Sequence, residues 1–306
     1  MIRLSVFAAA ALLLMCGPAM AAEPDAAAGL HAAGVDAFYS SDSENSETVK
    51  LGLNLDWHWD GPGDRLGIRV ERARFRPLGL QGKTMERAYI RYSNDDRVWK
   101  WDVLAGTDGH TVIGSASIHN EARFRQEYFV ERNIVETPIG ITKRLYSTFG
   151  GGAVDVPLGD RTTFTVLGGL QEFTGSNVRT HARATLVHVI KPDLGLSLQV
   201  RARYFRNSDP REYDYYSPRW YAEVLPVVQM RRWVGGWELL AAGGYGAQRD
   251  ADRKWRSARY ANLRVTSPKF RKDWAGNAAL IYSNTPTSNT FAYSYFQVNF
   301  GLTKSF

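Results

Sequence analysis

Six histidines are the side chains best suited to acid–base work or metal binding: His31, His58, His110, His119, His181 and His188. They do not cluster at metal-ligand spacing. No zinc-protease motif, phosphate-binding loop or dinucleotide fingerprint occurs either, so no metal, cofactor or catalytic residue is assigned. Two arrangements come nearest to chemistry. Asp56 and His58 stand two apart and could act as acid and base. Trp57 and Trp59 flank the histidine, which favours a water-lining position near an aromatic girdle. Ser115, Ser117 and His119 share a second face, and a Ser–His pair is the least that acyl transfer needs. Serine is common on polar strand faces, and no family motif surrounds this pair. His188 falls on an apolar face and reads as interfacial.

The elements holding these residues are strands, because apolar and polar side chains alternate almost throughout. Leu51, Leu53, Leu55, Trp57 and Trp59 oppose Lys50, Gly52, Asn54, Asp56 and His58. Leu194, Leu196, Leu198, Val200, Ala202 and Tyr204 oppose Ser197, Gln199, Arg201 and Arg203. Runs around Trp99, Trp237 and Trp274 do the same. Period two is the side-chain repeat of a strand with one apolar face, and no stretch shows the helical period as strongly. Turn signals such as Gly61-Pro62-Gly63-Asp64, Pro157-Leu158-Gly159-Asp160, Lys191-Pro192-Asp193 and Gly235-Gly236 divide the runs. Sixteen strands are predicted, within a range of about 14–18. They cover 30–41, 47–59, 65–76, 83–93, 98–106, 111–119, 123–135, 143–157, 161–173, 178–190, 194–206, 219–233, 237–248, 255–266, 274–284 and 291–306.

Composition narrows the setting. The chain has 306 residues, 44% hydrophobic and 23% charged, with a formal net charge of +7. A mean hydropathy of −0.32 argues against a helical membrane protein. The aromatic content argues against disorder, and the charge is too mild to indicate nucleic acid. Arg3, the apolar run Leu4–Met15 and Ala19-Met20-Ala21 have the form of a cleaved export leader over residues 1–21. Residues 22–306 are then one domain. The single cysteine, Cys16, leaves with the leader, so no disulfide is available.

An exported chain of alternating strands is either a soluble sandwich or a membrane barrel. Trp and Tyr sit at the ends of the apolar faces, and charges run the length of the opposite faces, which favours an all-β, up-and-down, antiparallel transmembrane barrel in a Gram-negative outer membrane. The tight turns then share the periplasmic side with both termini. The longer loops 207–218, 249–254 and 285–290 lie outside. The final strand alternates up to a terminal aromatic and looks like the signal read by the outer-membrane assembly machinery, carried by Asn299, Gly301 and Phe306. Lys304 departs from that pattern.

If the apolar faces meet lipid, the others line a lumen. Asp36, Asp56, His58, Arg69, Glu71, Arg87, Arg91, Lys100, Asp102, Arg125, Glu127, Glu131, Arg179, His181, Arg183, Gln199, Arg201, Arg203, Glu223, Gln229, Arg231, Asn262 and Arg264 are expected there, with Tyr89, Tyr221, Tyr260, Tyr293 and Tyr295. Both charge signs occur, so a single-signed ion filter is not expected. For most of these residues the simplest role is pairing across the lumen to keep it wet. Collectively, tyrosine faces mixed with Arg, Glu, Gln and Asn suit a sugar chain. The substrate path is therefore placed along Arg87, Arg91, Glu127, Arg183, Gln199, Arg201, Arg203, Glu223, Arg231, Arg264, Tyr221, Tyr260, Tyr293 and Tyr295.

Tyr213-Asp214-Tyr215-Tyr216-Ser217-Pro218-Arg219-Trp220-Tyr221 leads from the longest predicted external loop into a strand. This stretch resembles the loop-to-strand motif in the C-terminal barrels of exopolysaccharide export proteins, the porins for cellulose and poly-β-1,6-N-acetylglucosamine. The resemblance implies passive passage of a β-linked glycan without cofactor or bond chemistry, with Tyr213, Tyr215 and Tyr216 at the external loop. Those exporters carry helical repeats before the barrel. Only about eight residues lie between the leader and the first strand here, so a separate periplasmic helical-repeat protein is an expected partner, beside outer-membrane lipid, the polysaccharide and the assembly machinery. Two other readings stay open: an outer-membrane lipase or deacylase using the Ser117/His119 face, and a structural barrel with a plugged lumen.

Overall fold

The computed structural model describes residues 31–95, 97–268, 273–285 and 294–306. The leader, Tyr293, the start of the last predicted strand and most of the loop 285–290 lie outside the described residues. Among the described residues sixteen strands are formed: β1 (Ala32–Asp42), β2 (Glu47–Trp59), β3 (Arg65–Arg76), β4 (Lys83–Asn94), β5 (Trp99–Thr107), β6 (Val112–Asn120), β7 (Gln126–Ile134), β8 (Tyr146–Gly159), β9 (Thr162–Phe173), β10 (Val178–Lys191), β11 (Leu196–Asn207), β12 (Trp220–Val234), β13 (Trp237–Asp250), β14 (Arg253–Thr266), β15 (Trp274–Ser283) and β16 (Tyr295–Ser305). A short helix, α1 (Pro138–Lys143), joins β7 to β8.

Each strand pairs antiparallel with its sequence neighbours, and β1 pairs with β16 from Ala32↔Ser305 to Asp42↔Tyr295, closing the barrel. Closure leaves no unpaired strand edge, the condition for crossing a membrane with strands. His31 and Phe306 meet at one end, where the Phe306 amide donates to the His31 carbonyl. The connection Gly235-Gly236 is on that same near end, and both glycines take positive φ, +57° and +83°. That is the left-handed backbone of a two-residue hairpin turn. The far end carries the longer connections, 135–145 and 208–219. One expected external loop is not a loop. At 249–254 the strands run on, leaving a two-residue turn at 251–252.

Alternation decides the faces as expected. Leu51, Ile90, Leu170, Val228 and Leu263 point outward, and Ile90 and Leu170 are 58% and 59% exposed. So much bare apolar surface costs about 25 cal/mol per Å² in water, so this exterior calls for lipid. Trp57, Trp101 and Tyr128 stand exposed toward the near end of the exterior, and Tyr39, Tyr204 and Tyr245 toward the far end, the two girdles of a membrane barrel. Lys304, on this outer face, lies with its ammonium 5.2 Å from the centre of the Trp274 ring. A cation over an aromatic face at the girdle accounts for its departure from the apolar pattern.

The closing seam explains one glycine. A Cβ on Gly301 would lie 2.9 Å from Asp36 Oδ1 and 3.1 Å from Asn277 Oδ1. Asp36 accepts from Asn54 Nδ2 at 2.5 Å and pairs with Arg69 at 2.8 Å. Gly301→Val therefore has to displace a bridged carboxylate, at a cost of about 1–3 kcal/mol. Heat-modifiable migration on gels is expected to shift to lower temperature in that variant.

Candidate functional site

The inward wall of β1–β5 is a paired electrostatic lattice. Arg69 contacts Asp36 at 2.8 Å and Glu71 at 2.7 Å, and Arg87 reaches Glu71 at 3.2 Å. Arg91 lies 3.3 Å from Asp56, and Arg65 lies 3.0 Å from Asp102. These ions pair along the wall, within one strand or between strands one or two apart, and not across the lumen as expected. The reason is reach. Inward side chains on nearby strands lie within a few ångströms of each other, whereas a sixteen-stranded barrel is wide enough for an aqueous channel.

The wall of β8–β11 is different. Phe149, Phe173 and Phe205 share the inward face with Arg179, Arg183, His181 and Arg203, in register as Arg179↔Asn207, His181↔Phe205 and Arg183↔Arg203. The Arg179 guanidinium lies 4.9 Å and 4.5 Å from the centres of the Phe173 and Phe205 rings. It donates to Asn207 Oδ1 at 2.8 Å and to the Tyr216 carbonyl. These side chains, with Ser283, Thr285 and Tyr295 from the other side, line an open cavity of about 430 Å³ inside the barrel.

Over the far mouth the two long connections meet. The loop 208–219 folds inward, with Tyr215 and Tyr216 only 4% and 5% exposed. Tyr215 stacks on Phe173 with centroids 4.2 Å apart, and its hydroxyl accepts from Asn177 Nδ2 at 3.0 Å and donates to Glu212 at 3.1 Å. Burial, with Glu212 beside it, pushes this phenol up to about 12. The Tyr216 hydroxyl donates to Asp250 at 2.6 Å, and burial with that carboxylate raises it further. From the same loop Asp214 accepts from Thr137 Oγ1 at 2.6 Å and from the Ile139 amide at 2.7 Å, capping the start of α1. Glu136, just before α1, accepts from Lys50 Nζ at 2.6 Å and Thr48 Oγ1 at 3.0 Å on β2. Ile141 packs into an inward cluster with Ala73, Phe75 and Tyr89. A continuous chain of contacts thus crosses the mouth, from the β11–β12 connection to β2.

The structure places several of the expected residues along the lumen and several elsewhere. Arg183, Arg231 and Arg264 are exposed to the lumen, and Glu127, Arg201, Arg203, Glu223, Tyr260 and Tyr295 are half-buried along it. Arg87, Arg91, Gln199 and Tyr221 face inward but are buried in the wall and do not form its lumen surface. Tyr215 and Tyr216 are not external contacts either, being docked in the mouth; Tyr293 lies outside the described residues. His58 does not share the face of Asp56. The ladder skips one residue, pairing Asp56 with Gly67 and His58 with Leu66. This bulge turns His58 to the side of Leu66, where its Nε2 meets Asp64 at 3.0 Å.

Ser117 and His119 do face the lumen, opposite Asp102 and Lys100. No hydrogen bond joins them among the described residues. Ser117→Ala and His119→Ala are expected to leave channel conductance unchanged; a planar-bilayer recording checks this.

Sequence reading missed Glu136, Asp214 and the phenylalanines. The signal for the phenylalanines was present, since Phe205 is in phase with Arg201 and Arg203. Thr137-Pro138 also has the form of a helix start, a capping threonine followed by proline. The contacts of Glu136 and Asp214 join distant segments and leave no local trace.

No family model matches the chain, and no curated protein matches it. Among solved structures, a bacterial polysaccharide outer membrane secretin aligns over 92% of this chain and 99% of its own, with a TM-score of 0.66 and 14% identity. OccK5 (OpdH) of Pseudomonas aeruginosa aligns over 90% of this chain and 98% of its own, at TM-score 0.43 and 10% identity. OprD of the same organism covers 90% and 95%, at TM-score 0.44 and 8% identity. The first likeness establishes a shared barrel fold, in line with the resemblance drawn from the Tyr-Tyr-Ser-Pro stretch.

Proposed function

We propose that this protein is an outer-membrane channel that passes a polysaccharide chain. The observation that carries the reading is the closed barrel whose apolar exterior encloses a polar, aromatic-studded lumen. Pyranose rings offer apolar faces and hydroxyl edges. Phe149 and Tyr295 supply rings for the faces, and Arg183, Arg203 and Gln171 supply polar partners for the edges. Contacts of this kind are individually weak and exchange readily with water, so a chain can advance without being trapped. The fold likeness to a polysaccharide secretin supports the same substrate class. On this reading residues 1–21 are an export leader, Asn299, Gly301 and Phe306 form the signal for barrel assembly, and a separate periplasmic protein hands the chain to the near end.

Proteoliposomes loaded with a labelled β-linked oligosaccharide test it. Efflux that requires the folded protein is the expected result, and retention equal to that of empty liposomes contradicts it. The bridged mouth gives weight to a second reading, a structural barrel with a plugged lumen. Retention that persists after the bridge is cut would favour that one.

A further inference from the structure

The two halves of the lumen are electrostatically unlike. On β1–β5 the carboxylates Asp36, Asp56, Glu71 and Asp102 each face an arginine within 3.3 Å. On β10 and β11 the arginines outnumber their partners. Arg183 stands directly across from Arg203, and Arg201 follows two residues before Arg203 on the same face. Glu223 is 3.8 Å from Arg203, beyond hydrogen-bond reach. The buried Nε and Nη2 of Arg203 have no hydrogen-bond partner, and Arg183 has no carboxylate within 4 Å among the described residues. Arg201 is held by Gln199 at 2.8 Å, a neutral acceptor, and lies 4.8 Å from the Tyr260 ring centre. Other inward carboxylates are engaged elsewhere: Glu127 and Asp155 with Arg125, and Glu131 with Asn133.

Like charges directly opposite on adjacent strands oppose folding, and unfilled guanidinium donors in a partly buried wall add to that cost. Glu223 at 3.8 Å from Arg203 and the Phe149 and Tyr221 rings, 5.8 and 5.0 Å from Arg183 and Arg203, offset this only in part; an anion placed between the two guanidiniums offsets more. The cavity beside them is about 430 Å³ and is flanked by Phe149, Phe205 and Tyr295. A ring face and a carboxylate on one small unit satisfy both parts of this wall.

We propose that the Arg183/Arg203 wall is a recognition site for carboxylate-bearing sugar units, so that the transported chain is an acidic polysaccharide. This rests on the channel reading above and names its substrate class. The mechanism is charge-assisted hydrogen bonding by two guanidiniums, with the pyranose face against Phe149.

The test titrates the refolded full-length barrel with trigalacturonate, neutral cellotriose and cationic chitosan trisaccharide, by calorimetry. Binding does not depend on an open channel, so failure here and failure of the channel reading are separable. Trigalacturonate is expected to bind at least about tenfold more tightly than cellotriose, and the chitosan trisaccharide more weakly than both. Arg183→Gln and Arg203→Gln are each expected to lose about tenfold in trigalacturonate affinity, so that the preference for trigalacturonate over cellotriose shrinks. Arg183→Gln is also expected to melt at or above the parent temperature, because a repulsive pair is relieved and no ion pair is lost. Equal binding of the three sugars, tighter binding of the cationic one, or trigalacturonate binding unmoved by both substitutions would overturn the proposal. Should Arg203→Gln fail to fold, the lumen-exposed Arg183→Gln decides alone.

Discussion

Replacing Asp214 and Glu136 with alanine is expected to raise the open probability of the channel by about two orders of magnitude. Asp214 accepts two hydrogen bonds from the start of α1, at 2.6 and 2.7 Å. Bonds to a charged acceptor contribute about 1.5–3 kcal/mol each, so its loss costs the docked mouth about 3 kcal/mol or more, a factor of about a hundred. Glu136 adds less, because its pair with Lys50 is partly exposed and such pairs are worth at most about 1 kcal/mol. Asp214→Ala alone should therefore give most of the effect. The barrel itself should keep its stability, since neither residue belongs to a strand. Recordings of single channels, with heat-modifiability as the folding control, read both quantities. An open probability equal to the parent's would mean that the contacts are incidental to conduction.

The largest loss of stability is expected from Glu71→Ala. Glu71 is buried and accepts from Arg69 and Arg87. Arg69 keeps Asp36, but Arg87, also buried, loses its carboxylate. Removing one side of a buried pair leaves an uncompensated charge, at a cost of about 3–5 kcal/mol. By contrast Glu47→Ala breaks a pair with Arg76 that is half open to solvent and is expected to cost less than about 1 kcal/mol. Urea-induced unfolding in detergent or lipid vesicles separates the two. The comparison is informative because both carboxylates sit on neighbouring strands and differ chiefly in burial.

The barrel was legible because lipid on one side and water on the other impose a strict period of two. β11 shows it in full, with Leu198, Val200, Ala202 and Tyr204 outward and Gln199, Arg201, Arg203 and Phe205 inward. Errors arose where that period breaks or where polarity has another cause. The bulge after Asp56 reverses the phase of His58 and Trp59, and neither residue type announces it. The polar run at 249–254 reads as a loop. Its charges instead serve the far ends of two strands, where Asp250 pairs with Arg256 at 3.2 Å and accepts from Tyr216. The chemistry of the lumen was legible as a set of residue types only. Which arginines are paired and which are spare depends on register between strands, and on loops that fold back across the mouth.

On the channel reading, the lumen conducts once its mouth is released. Single-channel recording of the refolded protein and of the Asp214→Ala/Glu136→Ala variant in planar bilayers tests it most directly. The account predicts discrete conductance steps, rare in the parent and frequent in the variant, interrupted by added β-linked acidic oligosaccharides. A folded variant that inserts into the bilayer and passes no current would contradict it.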